Sequence, residues 1–313
     1  MRQIKKLLEH LKNRTLLFAL REKLRYMKMN KQKAWWNTHE YRSKSFLARP
    51  EPKIQMKLHF QSDMARIIFC NDFEWQERKF INAFLKPGDI FVDVGANIGL
   101  FALIAAKRVG SHGTVFAFEP TPKIYKELLE NVILNGFQNV HCIQKALSDS
   151  NDVRPLFVAT DGFDDYNSFA KPITAASFVT EKVACLTWDS FAVQEDLIGK
   201  VTMMKIDVEG WESHVLQGGV SFFSRDDAPV LQVEFTDEAS LAAGSSCRQL
   251  YCLLEKLGYK MFRYDPYRRN IISEPLRADY PYLNLIATKK PEDIYARIHS
   301  FWRKVFFKRK YIT

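Results

Sequence analysis

The sequence predicts an α/β protein built on a mostly parallel sheet with helices on both faces. Three observations carry this expectation. From residue 90 onward, short apolar runs alternate with segments of helical periodicity, the pattern of strands buried between two helical layers. Two of the runs end in a turn that opens a helix, Phe91-Val92-Asp93-Val94-Gly95-Ala96-Asn97-Ile98-Gly99 and Met204-Lys205-Ile206-Asp207-Val208-Glu209-Gly210-Trp211-Glu212. The composition, 47% hydrophobic and 26% charged over 313 residues, is that of a globular chain able to bury a sizeable core.

The elements follow in order. Residues 1–35 form a basic helix, with Ile4, Leu7, Leu8 and Leu11 at helical spacing. Ile54–Phe60 and Ala65–Cys70 are β-like runs joined by Gln61-Ser62-Asp63-Met64, which predicts a hairpin. Phe73–Leu85 is a helix stopped by Pro87-Gly88-Asp89. The alternation then runs through strands at Ile90–Val94, Thr114–Phe118, Val140–Ala146, Met203–Ile206 and Val230–Phe235. Helices lie at Ile98–Val109, Pro122–Asn135, Trp211–Phe223 and Gln249–Leu257. Tyr259–Tyr264 and Tyr282–Ala287 have no convincing helix between them, so they are expected to pair antiparallel. Three segments result: a basic helical N-terminal extension over 1–52, a body over 53–288, and a basic amphipathic helix within 289–313. An insertion at 149–185 leaves the third strand at the carboxyl edge of the sheet, where ligands bind in such folds.

Charge separates these segments. Residues 1–57 hold 16 Lys/Arg against 4 Asp/Glu, residues 289–313 hold 8 against 2, and the remainder holds 22 against 30. An acidic body is a poor match for a nucleic-acid backbone. Basic tails suit an anionic membrane surface or an acidic partner, and equally serve solubility. Ile294, Ile298, Phe301, Trp302, Val305 and Phe306 recur at spacings of three and four, one apolar face of a helix from Pro291 to Lys308. No run reaches the roughly 18–20 apolar residues a membrane span needs. Neither does Leu16–Leu20 make a signal-peptide core. The five scattered cysteines form no CxxC pair, so a reducing, cytoplasmic setting is expected, in peripheral contact with a membrane.

The chemistry concentrates at strand tips. Gly95 permits a tight turn and close approach of a ligand to backbone, and Gly99 lets the helix pack on the strand. Asp93 can accept a hydrogen bond from a ligand amino group. Asn97 and Leu100 break the dinucleotide fingerprint, so the ligand is one without a pyrophosphate in the turn. Glu119 ends the next strand, 20 residues after Gly99, placed to accept both hydroxyls of an adenosine ribose; either acid alone would read equally well as a helix cap. Lys205 and Asp207 share one face of a strand that ends in charge. His214 is a second candidate base, although a lone helix histidine is more often structural.

The order DVGANIG, FEP, ALSD and KIDVEG resembles the FkbM family of S-adenosylmethionine-dependent methyltransferases, over roughly residues 74–235. The resemblance implies a seven-stranded, Rossmann-like class I methyltransferase fold and S-adenosyl-L-methionine as cofactor. It implies transfer to a hydroxyl of a sugar, glycan or secondary metabolite. It assigns Asp93, Gly95, Asn97 and Gly99 to the methionine part, Glu119 to the ribose, and Ala146, Leu147, Ser148 and Asp149 to the adenine. Asp207 would face the transfer site as general base, tuned by Lys205 or Glu209. Two carboxylates, Asp207 and Glu234, are too few ligands to predict a metal. The alternatives are a nucleic-acid methyltransferase, disfavoured by the acidic body, and a membrane-associated binding protein with an inactive site.

Overall fold

The computed structural model describes residues 2–40, 43–71, 73–160, 167–171 and 177–299; in the first helix, side chains are described at residue 20 and from 22 onward. Ahead of the main sheet come α1 (Arg2–His39), β1 (Ser45–Glu51), β2 (Ile54–His59), α2 (Asp63–Phe69) and α3 (Trp75–Phe84). Then follow β3 (Ile90–Val94), α4 (Leu100–Val109), β4 (Thr114–Phe118), α5 (Pro122–Leu134), β5 (Val140–Ile143) and β6 (Ala146–Leu147). The insertion contributes β7 (Val153–Ala159) and β8 (Phe178–Leu186), and α6 (Trp188–Gln194) leads into β9 (Met203–Ile206). The chain continues through α7 (Glu212–Gln217), α8 (Val220–Phe223), β10 (Val230–Phe235), α9 (Asp237–Ala242) and α10 (Cys247–Lys256). It closes with β11 (Lys260–Asp265), β12 (Asn270–Ser273), β13 (Leu283–Thr288) and α11 (Pro291–Ile298).

The main sheet has the order β12-β11-β13-β10-β9-β3-β4-β5. β10, β9, β3, β4 and β5 pair in parallel, and β13 runs antiparallel between β10 and β11. Seven of these strands match the expectation; β12 adds an eighth at the edge, paired antiparallel to β11. Strand alternation splits the core in two. Phe91, Val115, Met203 and Val230 face α3, α4, α5 and α11, packing with Phe80, Leu103, Leu128 and Ile294. Val92, Phe116, Met204 and Leu231 face the other way, onto Trp188, Leu216, Leu250 and Leu254. The first face turns polar toward the carboxyl ends of its strands. Asp93, Lys205 and Gln232 stand in register across β3, β9 and β10, and Asp207 and Glu234 lie two residues further along.

Several expectations are corrected. Residues 63–69 are helical, not the second strand of a hairpin. Ser62 caps the helix by accepting from the Ala65 N–H at 2.9 Å. Met64, Ala65 and Ile68 are buried at the spacing of one helix face, whereas the run of apolar residues alone leaves helix and strand open. The partner of β2 is β1, so the boundary at residue 52 falls inside a hairpin. The run 140–146 is broken into β5 and β6, and β6 pairs with β8 rather than with β4. The helix over 211–223 divides into α7 and α8 at Gly218-Gly219, where a Cβ on Gly218 would lie 1.9 Å from the Ser148 carbonyl oxygen. The described part of the insertion is an antiparallel hairpin, β7 with β8.

The terminal helices are tied to the body. Trp36, 1% exposed, sits within 4.8–5.9 Å of the rings of Phe46, Phe60 and Phe69. In α11, Ile294 and Ile298 are buried in the core, and Arg297 pairs with Asp89 and donates to the Phe84 carbonyl at 3.1 Å. The first two positions of the expected apolar stripe thus pack on the body, while Phe301, Trp302, Val305 and Phe306 lie outside the described residues. No described helix is long and apolar enough to cross a membrane.

Candidate active site

At the carboxyl ends of β3, β4, β9 and β10 lies a cavity of 590 Å³, walled by the turn after β3, by Glu119, by Lys205 and Asp207, and by Glu234. The turn depends on glycine. Gly95 has φ 82°, and a Cβ there would stand 1.8 Å from the Asp207 carbonyl oxygen. No other residue lets the backbones after β3 and β9 approach so closely. The Gly95 and Ala96 N–H groups donate to the Phe118 carbonyl at 3.1 and 2.8 Å, which fastens the turn to β4. Gly99, with φ 97°, leads into α4 behind the wall, where a Cβ would stand 2.7 Å from the Leu128 side chain.

Glu119 is 6% exposed. Its two carboxylate oxygens accept from the Asn97 N–H at 3.1 Å and the Thr121 N–H at 2.9 Å, bridging the turn to the start of α5. Burial pushes its carboxyl up to about 7 against those two donors. Asp93, 1% exposed, lies one layer behind the cavity wall. Burial lifts it to about 7, opposed by the charge of Lys205.

Lys205 organises the transfer side. Its ammonium pairs with Asp207, lies 3.6 Å from a Glu74 oxygen and sits 4.5 Å from the Phe101 ring centroid. Burial alone would lower its pKa, but Asp207, Glu74 and Asp93 outweigh it and hold the ammonium charged. Glu74, at the start of α3, accepts from the Tyr282 hydroxyl at 3.0 Å and from the Asn284 amide. Burial raises its carboxyl, with Lys205 opposing. Glu212 turns back to accept from the Val208 N–H at 2.9 Å and the Gly210 N–H at 3.3 Å, fixing the loop that carries Glu209. The insertion is anchored to the same loop: the Ser168 hydroxyl donates to the Glu209 carbonyl at 2.7 Å, and Asn167, Phe169 and Lys171 line the cavity.

The structure therefore brings Gly95, Asn97, Glu119, Ala146, Leu147, Lys205, Asp207 and Glu209 to one cavity. Ser148 and Asp149 are engaged elsewhere. The Ser148 hydroxyl accepts from the Trp211 indole at 3.0 Å, and Asp149 pairs with Arg154 at 2.7 Å. His214 stacks on Trp211 at 3.6 Å and does not wall the cavity. Arg268 pairs with Asp265, and Arg269 donates to the Ile298 carbonyl; neither lines the cavity. Sequence reasoning missed Glu74 and Tyr282. An acid at the foot of a helix reads as a cap, and only the fold carries it to a strand tip 131 positions later.

Comparison with known proteins places the chain in a family. The methyltransferase FkbM domain matches residues 93–261. The 31-O-demethyl-FK506 methyltransferase FkbM of Streptomyces tacrolimicus is 30% identical over 160 residues, covering 43% of this chain and 60% of that protein. The hexuronic acid methyltransferase AglP of Haloferax volcanii is 30% identical over 135 residues, covering 42% of this chain and 51% of that protein. Among solved structures, a SAM dependent methyltransferase from Aquifex aeolicus aligns with a TM-score of 0.38 at 14% identity, over 68% of this chain and 88% of that one. The matched segment thus spans just over half the length of the two relatives. With the domain match running from Asp93 in β3 into β11, over more than half of the sequence, the chain belongs to the FkbM methyltransferase family.

Proposed function

We propose that this protein transfers a methyl group from S-adenosylmethionine to a hydroxyl oxygen of a sugar, glycan or secondary metabolite. The observation that carries the reading is that two motifs over a hundred residues apart, the turn at 95–97 with Glu119 and the tip at 205–209, wall one cavity. The cavity is of the size that holds small-molecule ligands. Glu119 is buried beside the turn with both oxygens aligned by backbone donors, which fits a ribose diol.

When bound, S-adenosylmethionine supplies a methyl group already activated on a sulfonium. The chain's own work is alignment and proton handling. Glu119 holds the ribose, Ala146 and Leu147 cover the base, and the turn at 95–97 lies against the amino-acid arm. Asp93, behind the wall, acts through the charge of Lys205. Asp207 takes the acceptor's hydroxyl proton as the oxygen bonds to the methyl carbon and the sulfur–carbon bond breaks, and Lys205 fixes Asp207 in place. Phe101, Phe118 and Leu147 keep water out. Well-aligned reactants gain on the order of 7–11 kcal/mol from positioning.

The names of the relatives, one acting on a hexuronic acid and one on demethylated FK506, favour an oxygen acceptor over a nucleic acid. The net acidity of residues 58–288 supports the same choice. We extend the reading to peripheral contact with an anionic membrane, on the observation that Leu20, Leu24 and Met27 lie exposed at helical spacing on the basic helix α1. Co-sedimentation with anionic vesicles at low and high salt tests that extension. The core reading is tested by calorimetry. One S-adenosylmethionine per chain should bind, and an inert binding module would either fail to bind it or bind it without ever turning it over.

A further inference from the structure

Beside the proposed transfer site three carboxylates come together. Ligand oxygens of Asp207, Glu209 and Glu234 all lie within 4.8 Å of one another. The Lys205 ammonium pairs with Asp207 and lies near Glu74. Like charges this close repel, and burial in a low-dielectric site makes the repulsion worse.

A second observation is independent of the clustering. Glu234 is 5% exposed, lines the cavity, and its Oε2 has no hydrogen-bond partner. Its neighbour across the strand pair, Asn284, also buries a carbonyl oxygen that accepts nothing, since the Asn284 amide is spent on Glu74. Both orphaned groups are acceptors. A second acceptor cannot satisfy them; a donor or a cation can. Unpaired buried acceptors are costly, and Glu234 faces a cavity open to a small ion.

We propose that Asp207, Glu209 and Glu234 hold one hard divalent cation at the floor of the cavity. The chemistry of the donor set, oxygen throughout, selects magnesium, manganese or calcium over zinc or copper. The spacing is compatible with any of the three. Oxygens on opposite sides of magnesium stand about 4.2 Å apart and those of calcium about 4.6–5.2 Å. Ligand oxygens that all lie within 4.8 Å of one another can share one ion of this class. Sequence reasoning found two of the three ligands and set the metal aside for want of more. The third, Glu209, comes from the turn after β9, where φ is 53°. The proposal stands on these residues alone and does not require that the cavity bind S-adenosylmethionine.

The test uses the full chain, stripped with chelator, desalted and titrated with Mn²⁺, with free Mn²⁺ read from its paramagnetic resonance signal. One Mn²⁺ should bind per chain and be displaced by Ca²⁺ or Mg²⁺. Glu234→Gln and Glu209→Gln should each weaken binding roughly tenfold or more, since ligand charge sets affinity at such sites. Metal-free Glu234→Gln should fold and melt close to the parent, and should lose the rise in melting temperature that Mn²⁺ gives the parent. Glu209→Gln, in a partly exposed turn, serves should the buried substitution disturb folding. No binding at millimolar Mn²⁺, Mg²⁺ and Ca²⁺ overturns the proposal, and so does binding that both variants retain. None of these readings involves the methyl donor, so failure here leaves the transferase reading to its own test.

Discussion

Glu119 offers a quantitative check on the ribose assignment, because its titration is coupled to what it binds. Burial lifts its carboxyl from an ordinary 4.5 to about 7. A ribose diol donates hydrogen bonds, which favour the ionised form. At pH 6 roughly nine in ten unliganded molecules would carry a protonated Glu119, so affinity for S-adenosylhomocysteine should be about tenfold below its plateau above pH 8. Calorimetry at pH 6 in buffers of different ionisation enthalpy should show about one proton released per ligand bound. Glu119→Gln keeps the shape and removes the charge. It should weaken binding by roughly 1.5–3 kcal/mol, the range for a hydrogen bond to a charged group, and flatten the part of the pH dependence that belongs to this residue. Stability gives a second reading of the same group. Its folded value lies above its unfolded value, so its contribution is fully present below pH 4.5 and is lost as pH rises through 7. The unliganded parent should therefore lose roughly 2.5 kcal/mol from this residue between pH 5 and pH 8, and Glu119→Gln should not. A pH-independent affinity, or a variant that binds like the parent, would remove Glu119 from the ribose role.

Further outcomes follow from other parts of the structure. Asp207→Asn should lower turnover by at least the roughly hundredfold that a general base supplies while sparing donor affinity; a loss of donor affinity with turnover intact would make Asp207 a cofactor ligand. Ser168→Ala removes the anchor between the insertion and the Glu209 carbonyl. Steady-state kinetics should show a raised acceptor Michaelis constant with donor binding unchanged. Within the insertion, Asp164, Asp165 and Tyr166 lie outside the described residues, and we propose that trimming 159–177 acts in the same direction. Trp36→Ala empties a site that is 1% exposed and should cost about 3–5 kcal/mol in urea denaturation; a loss below 1 kcal/mol would mean that the end of α1 is not docked as described.

Legibility in the sequence followed the range of the interactions. The turn at 93–99, the acid at 119 and the tip at 205–209 are each written in a few consecutive residues, because a strand end, a glycine and an acid must adjoin to make them. Parallel strands buried on both faces, such as β9 and β10, announce themselves as largely apolar runs that turn polar on one face near their ends. What failed was decided by tertiary contact. Residues 63–69 have an apolar pattern that either period accommodates, and the Ser62 cap settles it. Gly218-Gly219 looks like a tolerable pair inside a helix until the Ser148 backbone is found against it. Glu74, Tyr282 and Asn284 carry no local signal at all, since their role exists only once α3 is laid over the ends of β9 and β13. The apolar stripe of the last helix was legible, but not its destination: Ile294 and Ile298 belong to the body's core.

The central claim is that this cavity moves a methyl group to an oxygen. The most direct measurement is incubation of the full-length protein with methyl-labelled S-adenosylmethionine and small-molecule and glycan extracts, followed by mass spectrometry of whatever gains the label. The account predicts a labelled ether on a hydroxylated acceptor, with S-adenosylhomocysteine formed in equal amount. It also predicts that both disappear with Asp207→Asn in a protein that still binds the donor. Label appearing on a ring or amino nitrogen of nucleic acid, or product formed equally by the Asp207→Asn protein, would contradict it.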